Sequence, residues 1–525
     1  MDRPGCCTDH RTDSLTVQEL WCSTEERRTS QEKLFEFLEI LSAYRLAMNT
    51  INWDQTVSGA PIAGVGFRSK GYGVLTREHY RYLTAPEFRA LLEAFSRETG
   101  TLEGDIAREW LIELKRIEKI PKDDYTEFMT FLSKSEVEWE EAKRTGDFKG
   151  FKSHYKIIFD TARKFSDYIG YDQHPYDAWI EMFEPGMTVK KLDRFFGELR
   201  AEIVPLLSEI REKISENPQS YDFLSRAIPK KKQEAFSKRL LAVIGFDLNR
   251  GFLKESEHPF TNAMSIDDVR MTTHYYEHEF VSSIFSVLHE GGHGIYEQNF
   301  DRVLANTGLD GGASSAVHES QSRMFENAFG RNKFFWTKLY GDMQAEFSPV
   351  LDDIPLDTFI EAINRVESTL IRIEADELTY SLHIMVRYEL EKAIFEGTLE
   401  VEDLPEAWNR LMRDYLGVEP AHHGEGVLQD VHWAAGLIGY FPSYALGNAY
   451  ASQLLHFMKQ EVDVERALRS LDFGDILEWL TLHVHSHGKR LKPEQLIEAA
   501  TGTTFNPQYY IQDLKTKYKE RYDLG

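Results

Sequence analysis

The chain is poor in cysteine. Its three cysteines, Cys6, Cys7 and Cys22, all fall within the first 22 of 525 residues. No disulfide can therefore staple the remainder, which suits a reducing compartment. Cys6 and Cys7 with nearby His10 match no zinc spacing, and residues 1–28 read as a poorly ordered tail. No run of 18 apolar residues occurs, which excludes a membrane-spanning helix. The N-terminus has no apolar signal core, so a cytoplasmic location follows by default. Positive charge is also short: 61 Lys and Arg against 86 Asp and Glu leave a net charge of −25. Nucleic acid and anionic membrane are thereby disfavoured as partners, since both need a basic face. The Lys230-Lys231-Lys232 run after Pro229 reads as a solvated helix start. Pro/Gly/Ser-rich linkers, low-complexity tracts and repeats of fixed period are lacking too. Length alone allows three or four domains. The uninterrupted amphipathic text argues instead for one large, two-lobed, mainly helical catalytic unit over residues 29–525. With 42% hydrophobic and 13% aromatic residues, it can bury a large core.

Apolar spacing predicts a helix from near Ser30 through Leu34, Phe37, Leu38, Leu41 and Tyr44 toward Trp53-Asp54. Gly64 to Gly71 reads as a glycine-rich loop, and not as a phosphate loop, because no Gly-Lys-Ser/Thr closes it. Helices are expected over 76–98, 104–118, 122–145, 147–169 and 188–215, with a turn at Pro185-Gly186. Short strands are expected over 245–254 and 268–276. From 313 onward the pattern is helical, broken near Gly417, 421–426 and 439–443.

What the chain does have is His289-Glu290-Gly291-Gly292-His293. Two histidines four apart on a helix point the same way and can share one zinc ion, and the glutamate between them can act as general base on a metal-bound water. Phe280, Val281, Ile284, Phe285 and Leu288 give the upstream segment the spacing of a core-facing helix. Gly291, Gly292 and Gly294 each cost about 1 kcal/mol there. Such glycines mark a close approach, either of a substrate strand or of another helix. A hydrolytic zinc site needs a third protein ligand and an open position. Glu319, in a second helical stretch 26 residues past His293, is the best candidate, and Glu297, one turn past His293, is its rival. The glycine-rich turn 308–312 lets the second helix fold back beside the first.

Other segments suit a substrate. Arg372 lies among Leu370, Ile371 and Ile373. It can grip a carboxylate through two parallel hydrogen bonds, or pair with Asp376 four residues on. Tyrosines in Gly439-Tyr440-Phe441-Pro442-Ser443-Tyr444 can donate to a developing oxyanion or pack in the core. Pro442 argues against regular helix there. His258-Pro259-Phe260 and Asp268-Val269-Arg270-Met271-Thr272 flank the strand before the motif helix, where a turn and a buried ion pair are the plain structural readings.

Together these segments resemble the carboxypeptidase Taq family of zinc-type metallocarboxypeptidases. HPF at 258–260, DVRMT at 268–272, HEGGH at 289–293, HESQ at 318–321 and IRIEADELTY at 371–380 occur in the family's order. GVLQDVHW at 426–433 and GYFPSYALGN at 439–448 follow. Trp53-Asp54, IPKDDY at 120–125 and EPGMT at 184–188 also match, so the resemblance spans about residues 31–525. It implies a mainly α, two-lobed zinc-peptidase fold with a deep active-site cleft and a small β element beside the motif helix. It also implies a homodimer that removes single residues from free peptide C-termini with broad specificity and little action on terminal proline. Carried over residue by residue, it makes His289, His293 and Glu319 the ligands of one divalent metal, zinc or alternatively cobalt, and Glu290 the base. Arg372 becomes the holder of the terminal carboxylate, and His258, Arg270, His432 and Tyr444 fall at substrate-side positions. Tyr444 or His432 would help stabilise the oxyanion. Gly59-Ala60-Pro61 and His274 depart from the family pattern, which bears on fine specificity. An oligopeptidase cutting inside peptides and a catalytically inactive binding protein are the rival readings.

Overall fold

A computed structural model describes residues 23–525. Of the tail expected over residues 1–28, residues 1–22 with Cys6, Cys7 and Cys22 lie outside the described residues, whereas 24–28 are helical and Arg27 donates to Glu98 at 2.9 and 2.7 Å, so the ordered chain starts earlier than expected. The described residues fall into two compact units, one made of residues 23–118 with Leu304–Asp310, the other of Lys119–Val303 with Gly311–Gly525.

The first unit is a helical bundle of α1 (Thr24–Thr56), α2 (Val65–Leu83), α3 (Pro86–Phe95) and α4 (Leu102–Lys119). Helix α1 begins six residues before Ser30: Ser23 caps it, its hydroxyl accepting from the Glu26 N–H at 3.1 Å, where apolar spacing gives no signal. The expected loop at 64–71 is instead the start of α2. Its Gly66, Gly71 and Gly73 keep right-handed backbone angles. The single helix expected over 76–98 is two helices, because Pro86 takes the first position of α3 and pushes Ala85 out of the helical region. Leu34, Leu38, Leu41, Phe88, Phe95 and Trp110 form the core of this unit.

The second unit carries α5 (Lys122–Thr145), α6 (Phe148–Ile169), α7 (Asp177–Phe183), α8 (Val189–Glu216) and α9 (Lys230–Ile244). Helix α7 was not expected from the sequence. Three strands follow: β1 (Gly251–Glu255), β2 (Thr261–Ser265) and β3 (Asp268–Thr273), in the order β1-β3-β2. β3 pairs parallel with β1 and antiparallel with β2, placing Val269 opposite Gly251 and Met271 opposite Thr261. β2 escaped sequence reading because Thr-Asn-Ala-Met-Ser has little β-branched character. Then come α10 (Phe280–Gln298), α11 (Ser315–Arg323) continuing into a π-turn at Met324–Phe329, α12 (Lys333–Phe347), α13 (Leu356–Ile363), α14 (Tyr380–Glu396) and α15 (Leu404–Leu416). The final helices are α16 (Phe441–Glu461), α17 (Val464–Ser470), α18 (Gly474–His483), α19 (Pro493–Thr501) and α20 (Gln508–Arg521). No α-helix forms between Leu416 and Phe441, a longer break than expected. Pro442 sits in the first turn of α16, where a missing N–H costs nothing, so the helix expected to fail there starts there. Among the described residues no helix is long and apolar enough to cross a membrane.

Candidate metal centre

Helix α10 buries Phe280, Ile284, Val287 and Leu288 and packs against β3 and α11. Burying that face fixes its rotation, so His289 and His293 emerge together, toward α11. A Cβ on Gly292 would lie 2.6 Å from the Gln321 carbonyl oxygen and 2.7 Å from Ser322 Cα. The motif glycine therefore serves helix–helix contact, and the alternative of a substrate strand along α10 is set aside for this position. A Cβ on Gly447 of α16 would lie 2.6 Å from Glu319 Cγ. The helix that carries Glu319 is thus clamped at two glycines.

His289, His293 and Glu319 each turn one donor atom into a common space, all within 4.8 Å of one another. Glu319 Oε2 lies 3.8 Å from His289 Nε2 and 3.6 Å from His293 Nε2. Donors about 2.0–2.1 Å from a tetrahedral ion sit roughly 3.3–3.4 Å apart. The group therefore fits a small divalent ion with little adjustment. The remaining donor atoms are occupied from outside. His289 Nδ1 lies 2.8 Å from Glu326 Oε2, on the π-turn. His293 Nδ1 lies 2.6 Å from His318 Nδ1. Arg323 Nε donates to Glu319 Oε1 at 2.7 Å, and its Nη1 donates to Glu326 Oε2 at 3.1 Å. These contacts leave both Nε2 atoms and one carboxylate oxygen facing inward. Burial alone would raise the Glu319 carboxyl, but Arg323 and the two histidines hold it well below the usual range. His293 is pushed down to about 3 by burial, so it is neutral, as a ligand must be. Glu297, the rival ligand, lies 2.7 Å from His318 Nε2 and takes no part in the three-donor group.

Glu290 lies between the two histidines on the same helix and is buried. Thr261 Oγ1, at the start of β2, donates to its Oε2 at 2.6 Å. Burial raises its pKa above the ordinary carboxylate value.

Arg372 is buried too, but not by the neighbours its sequence suggested, for Ile373 is 72% exposed. A pair with Asp376 is ruled out because 372–374 is a 3-10 turn and Asp376 caps Leu378 and Thr379. Arg372 donates instead to Asp430 Oδ1 from Nε at 3.0 Å and Nη2 at 2.9 Å, and to the Tyr380 hydroxyl from Nη1 at 3.0 Å. A guanidinium has five N–H groups. Three are engaged, which leaves one on each terminal nitrogen. Arg387 Nε donates to the other Asp430 oxygen at 2.7 Å, so two guanidiniums share one carboxylate. Tyr380 joins this group to the metal ligands, its ring lying 4.0 Å from the Arg323 guanidinium. Tyr444, one turn before Gly447, lies under Arg372 at 4.9 Å, and its hydroxyl is 3.1 Å from His432 Nε2.

Two of the residues expected on the substrate side, Arg270 and His258, lie on β3 and just before β2. Strand alternation turns buried Val269 and Met271 to one face of β3 and Arg270 to the other. There Arg270 pairs with Asp268 at 2.9 and 2.6 Å and lies 5.5 Å over Phe252. His258 is exposed, and its backbone carbonyl accepts from Ser256 at 2.6 Å.

Two buried acids hold the frame. Glu184, in the EPGMT segment, accepts from the Ala316 N–H at 3.2 Å and from the Tyr450 hydroxyl at 2.8 Å, tying the start of α11 to α16. Glu391 accepts from Trp433 Nε1 at 2.6 Å and the Gly439 N–H at 2.9 Å, anchoring the non-helical stretch that carries Asp430 and His432.

The carboxypeptidase Taq (M32) metallopeptidase family matches over residues 33–518. The chain is 43% identical to carboxypeptidase 1 of Bacillus subtilis, covering 95% of this chain and 100% of that one. It is 36% identical to thermostable carboxypeptidase 1 of Thermus thermophilus, over 94% of this chain and 98% of that one. Among solved structures, the M32 carboxypeptidase of Deinococcus radiodurans superimposes with a TM-score of 0.91 at 32% identity, over 94% of this chain and 100% of that chain.

Proposed function

The chain belongs to the carboxypeptidase Taq (M32) family and is a metallocarboxypeptidase, and from that premise we propose that it releases single residues from the free C-terminus of peptides, with broad side-chain tolerance and little action on terminal proline. The observation that carries the exopeptidase reading is the buried Arg372, with one uncommitted N–H on each terminal nitrogen. That is the donor pattern a carboxylate accepts in a fork.

His289, His293 and Glu319 would hold one divalent metal, zinc by preference and cobalt as the alternative. When bound, the metal supplies Lewis acidity and a water acidic enough to deprotonate near neutral pH. The remaining steps fall to the protein. Glu290 takes the proton from the attacking water and later returns it to the leaving amine, with Thr261 holding the carboxylate in place. Burial keeps the Tyr444 hydroxyl protonated, its pKa well above the ordinary value. When His432 donates its Nε2 hydrogen to the Tyr444 oxygen, the tyrosine's own O–H is free for the developing oxyanion. His258 and Arg270 are assigned to outer substrate positions by resemblance alone. A homodimer and a cytoplasmic location belong to the same reading. The first is supported by the family resemblance, and the second by the confinement of cysteine to the first 22 residues. Sedimentation checks the dimer.

One peptide, offered with a free and with an amidated C-terminus in the presence of zinc or cobalt, tests the proposal by mass spectrometry. A ladder of single-residue losses from the free acid alone is expected. Internal cuts in both forms would replace it with an oligopeptidase.

A further inference from the structure

Glu297 and His318 stand beside the three-donor group without belonging to it. His318 Nδ1 is 2.6 Å from His293 Nδ1, and His318 Nε2 is 2.7 Å from Glu297 Oε1. Two imidazole nitrogens at that separation share one hydrogen, for two would collide and none would leave two lone pairs opposed. An ionised carboxylate only accepts, so the hydrogen on the outer side of His318 is on Nε2, facing Glu297. With its own hydrogen turned to Glu297, His318 offers Nδ1 as the acceptor, and the shared hydrogen belongs to His293 Nδ1. That leaves His293 Nε2 as a lone pair, directed at the space it shares with Glu319 Oε2 at 3.6 Å. His289 receives the same instruction more directly, from the Glu326 carboxylate at 2.8 Å.

The fold holds His318 in this place. Its ring meets Tyr296 edge-on at 5.1 Å, and a Cβ on Gly312 would lie 2.9 Å from its Cδ2. Gly312 thus leaves room for the relay. Glu297 is four residues past His293 on α10, so the same helix supplies both ends of the chain of hydrogen bonds.

We infer that His318 and Glu297 are positioning residues: a His293–His318–Glu297 relay that fixes the tautomer of one metal ligand and thereby sets the affinity of the site for its metal. The inference rests on the reading of His289, His293 and Glu319 as a metal site. Partners of this kind change metal affinity by about 10–100-fold when removed.

Zinc affinity of the metal-free full chain, measured by competition with a chromophoric chelator, tests it. His318→Asn keeps an acceptor near the Nδ1 position, while His318→Leu fills similar space with none. The leucine variant should lose about 10–100-fold in zinc affinity and the asparagine variant should recover most of it. Glu297→Ala should also weaken zinc, because His318 is then free to offer either tautomer. Wild-type affinity in a folded leucine variant would overturn the relay, as would an asparagine variant no better than leucine. If the leucine variant does not fold, unchanged affinity in Glu297→Ala overturns it instead. A wild-type chain that takes up no zinc would overturn the metal-site reading beneath it, not the relay.

Discussion

Replacing Gly447 with alanine should injure the metal centre without touching any residue that holds metal. The added Cβ would sit 2.6 Å from Glu319 Cγ, 2.7 Å from its Cβ and 3.1 Å from its backbone carbon. Carbon atoms rest about 3.5–4.0 Å apart, so α16 and Glu319 must separate by roughly 1 Å. Rotation of the glutamate side chain cannot supply that, because two of the three contacts involve its backbone and Cβ. Movement of α11 is hindered by its second close contact, where Gly292 already lets the Gln321 carbonyl and Ser322 Cα come within van der Waals range. Overpacking of this kind costs about 1–3 kcal/mol. Metal–donor distances tolerate about 0.2 Å, and a 1 Å misplacement at a reacting centre costs on the order of 10²-fold in rate. Metal-free Gly447→Ala should therefore unfold at about 1–3 kcal/mol less than wild type, bind zinc at least about tenfold more weakly and turn over on the order of 10²-fold more slowly. Gly341→Ala is the control. Gly341 lies on an exposed face of α12, and its added Cβ meets nothing within 4 Å. That variant should be neutral or slightly more stable. Zinc affinity and turnover in Gly447→Ala equal to those of Gly341→Ala would refute the clamp.

Glu290→Gln keeps an oxygen for the Thr261 hydroxyl but cannot take a proton. It should bind zinc at wild-type stoichiometry and lose about 10²–10⁴-fold in kcat, and full activity would sink Glu290 as base. Arg372→Ala should depress kcat/KM for free-acid peptides far more than for amidated ones, and an equal loss on both would remove its assigned role. The Glu391 carboxyl is pushed up to about 7, chiefly by burial. A carboxyl raised in the folded state stabilises fully below its unfolded pKa near 4.5, and that stabilisation fades as pH climbs through 7. Over that window wild type should lose about 3 kcal/mol through this group. Denaturant unfolding of metal-free Glu391→Gln should show a correspondingly shallower fall between pH 5 and pH 8, and an unchanged fall would refute the assignment.

The parts of the site that the sequence made legible are those built from local spacing. His289 and His293 share a face because they are one turn apart, and the apolar residues before them fix which way that face turns. Glu319 could be preferred to Glu297 only through the second helical stretch and the turn before it; in the structure Glu319 groups with the two histidines while Glu297 lies against His318. Arg323 and Glu326 carried no signal, since charges at helical spacing ordinarily face solvent. Only tertiary packing shows Arg323 buried against Glu319 and Glu326 half-buried against His289. Asp430 lies 58 residues beyond Arg372, so no local pattern could pair them, and Ile373 misled because it points outward. Glycine and proline misled in opposite directions. The glycines at 64–73 stayed helical, and Pro442 opened a helix, because its effect depends on position within the turn.

A net charge of −25 works against a substrate whose recognised end is a carboxylate. The conflict disappears when distance and burial are considered. At physiological ionic strength exposed charges are screened beyond about 8 Å, so most of the acidic surface acts weakly on a peptide end already at Arg372. The Arg372, Arg387 and Asp430 group is screened far less. Arg372 is 6% exposed and Arg387 0%. Two guanidiniums against one carboxylate leave one positive charge unmatched. Without Asp430 the two arginines would repel each other, and with a second acid nothing would be left for a ligand. One acid between two bases keeps Arg372 in place and leaves a single charge for the substrate to neutralise. A peptide amide cannot do so, and on binding it would seal an uncompensated charge from water. Breaking buried ion pairs in this way costs about 3–5 kcal/mol, which corresponds to a preference for free acids of roughly 10²–10³-fold or more. In the proposed reaction, discrimination between chain ends therefore comes from the unmatched cation more than from the count of hydrogen bonds to the carboxylate.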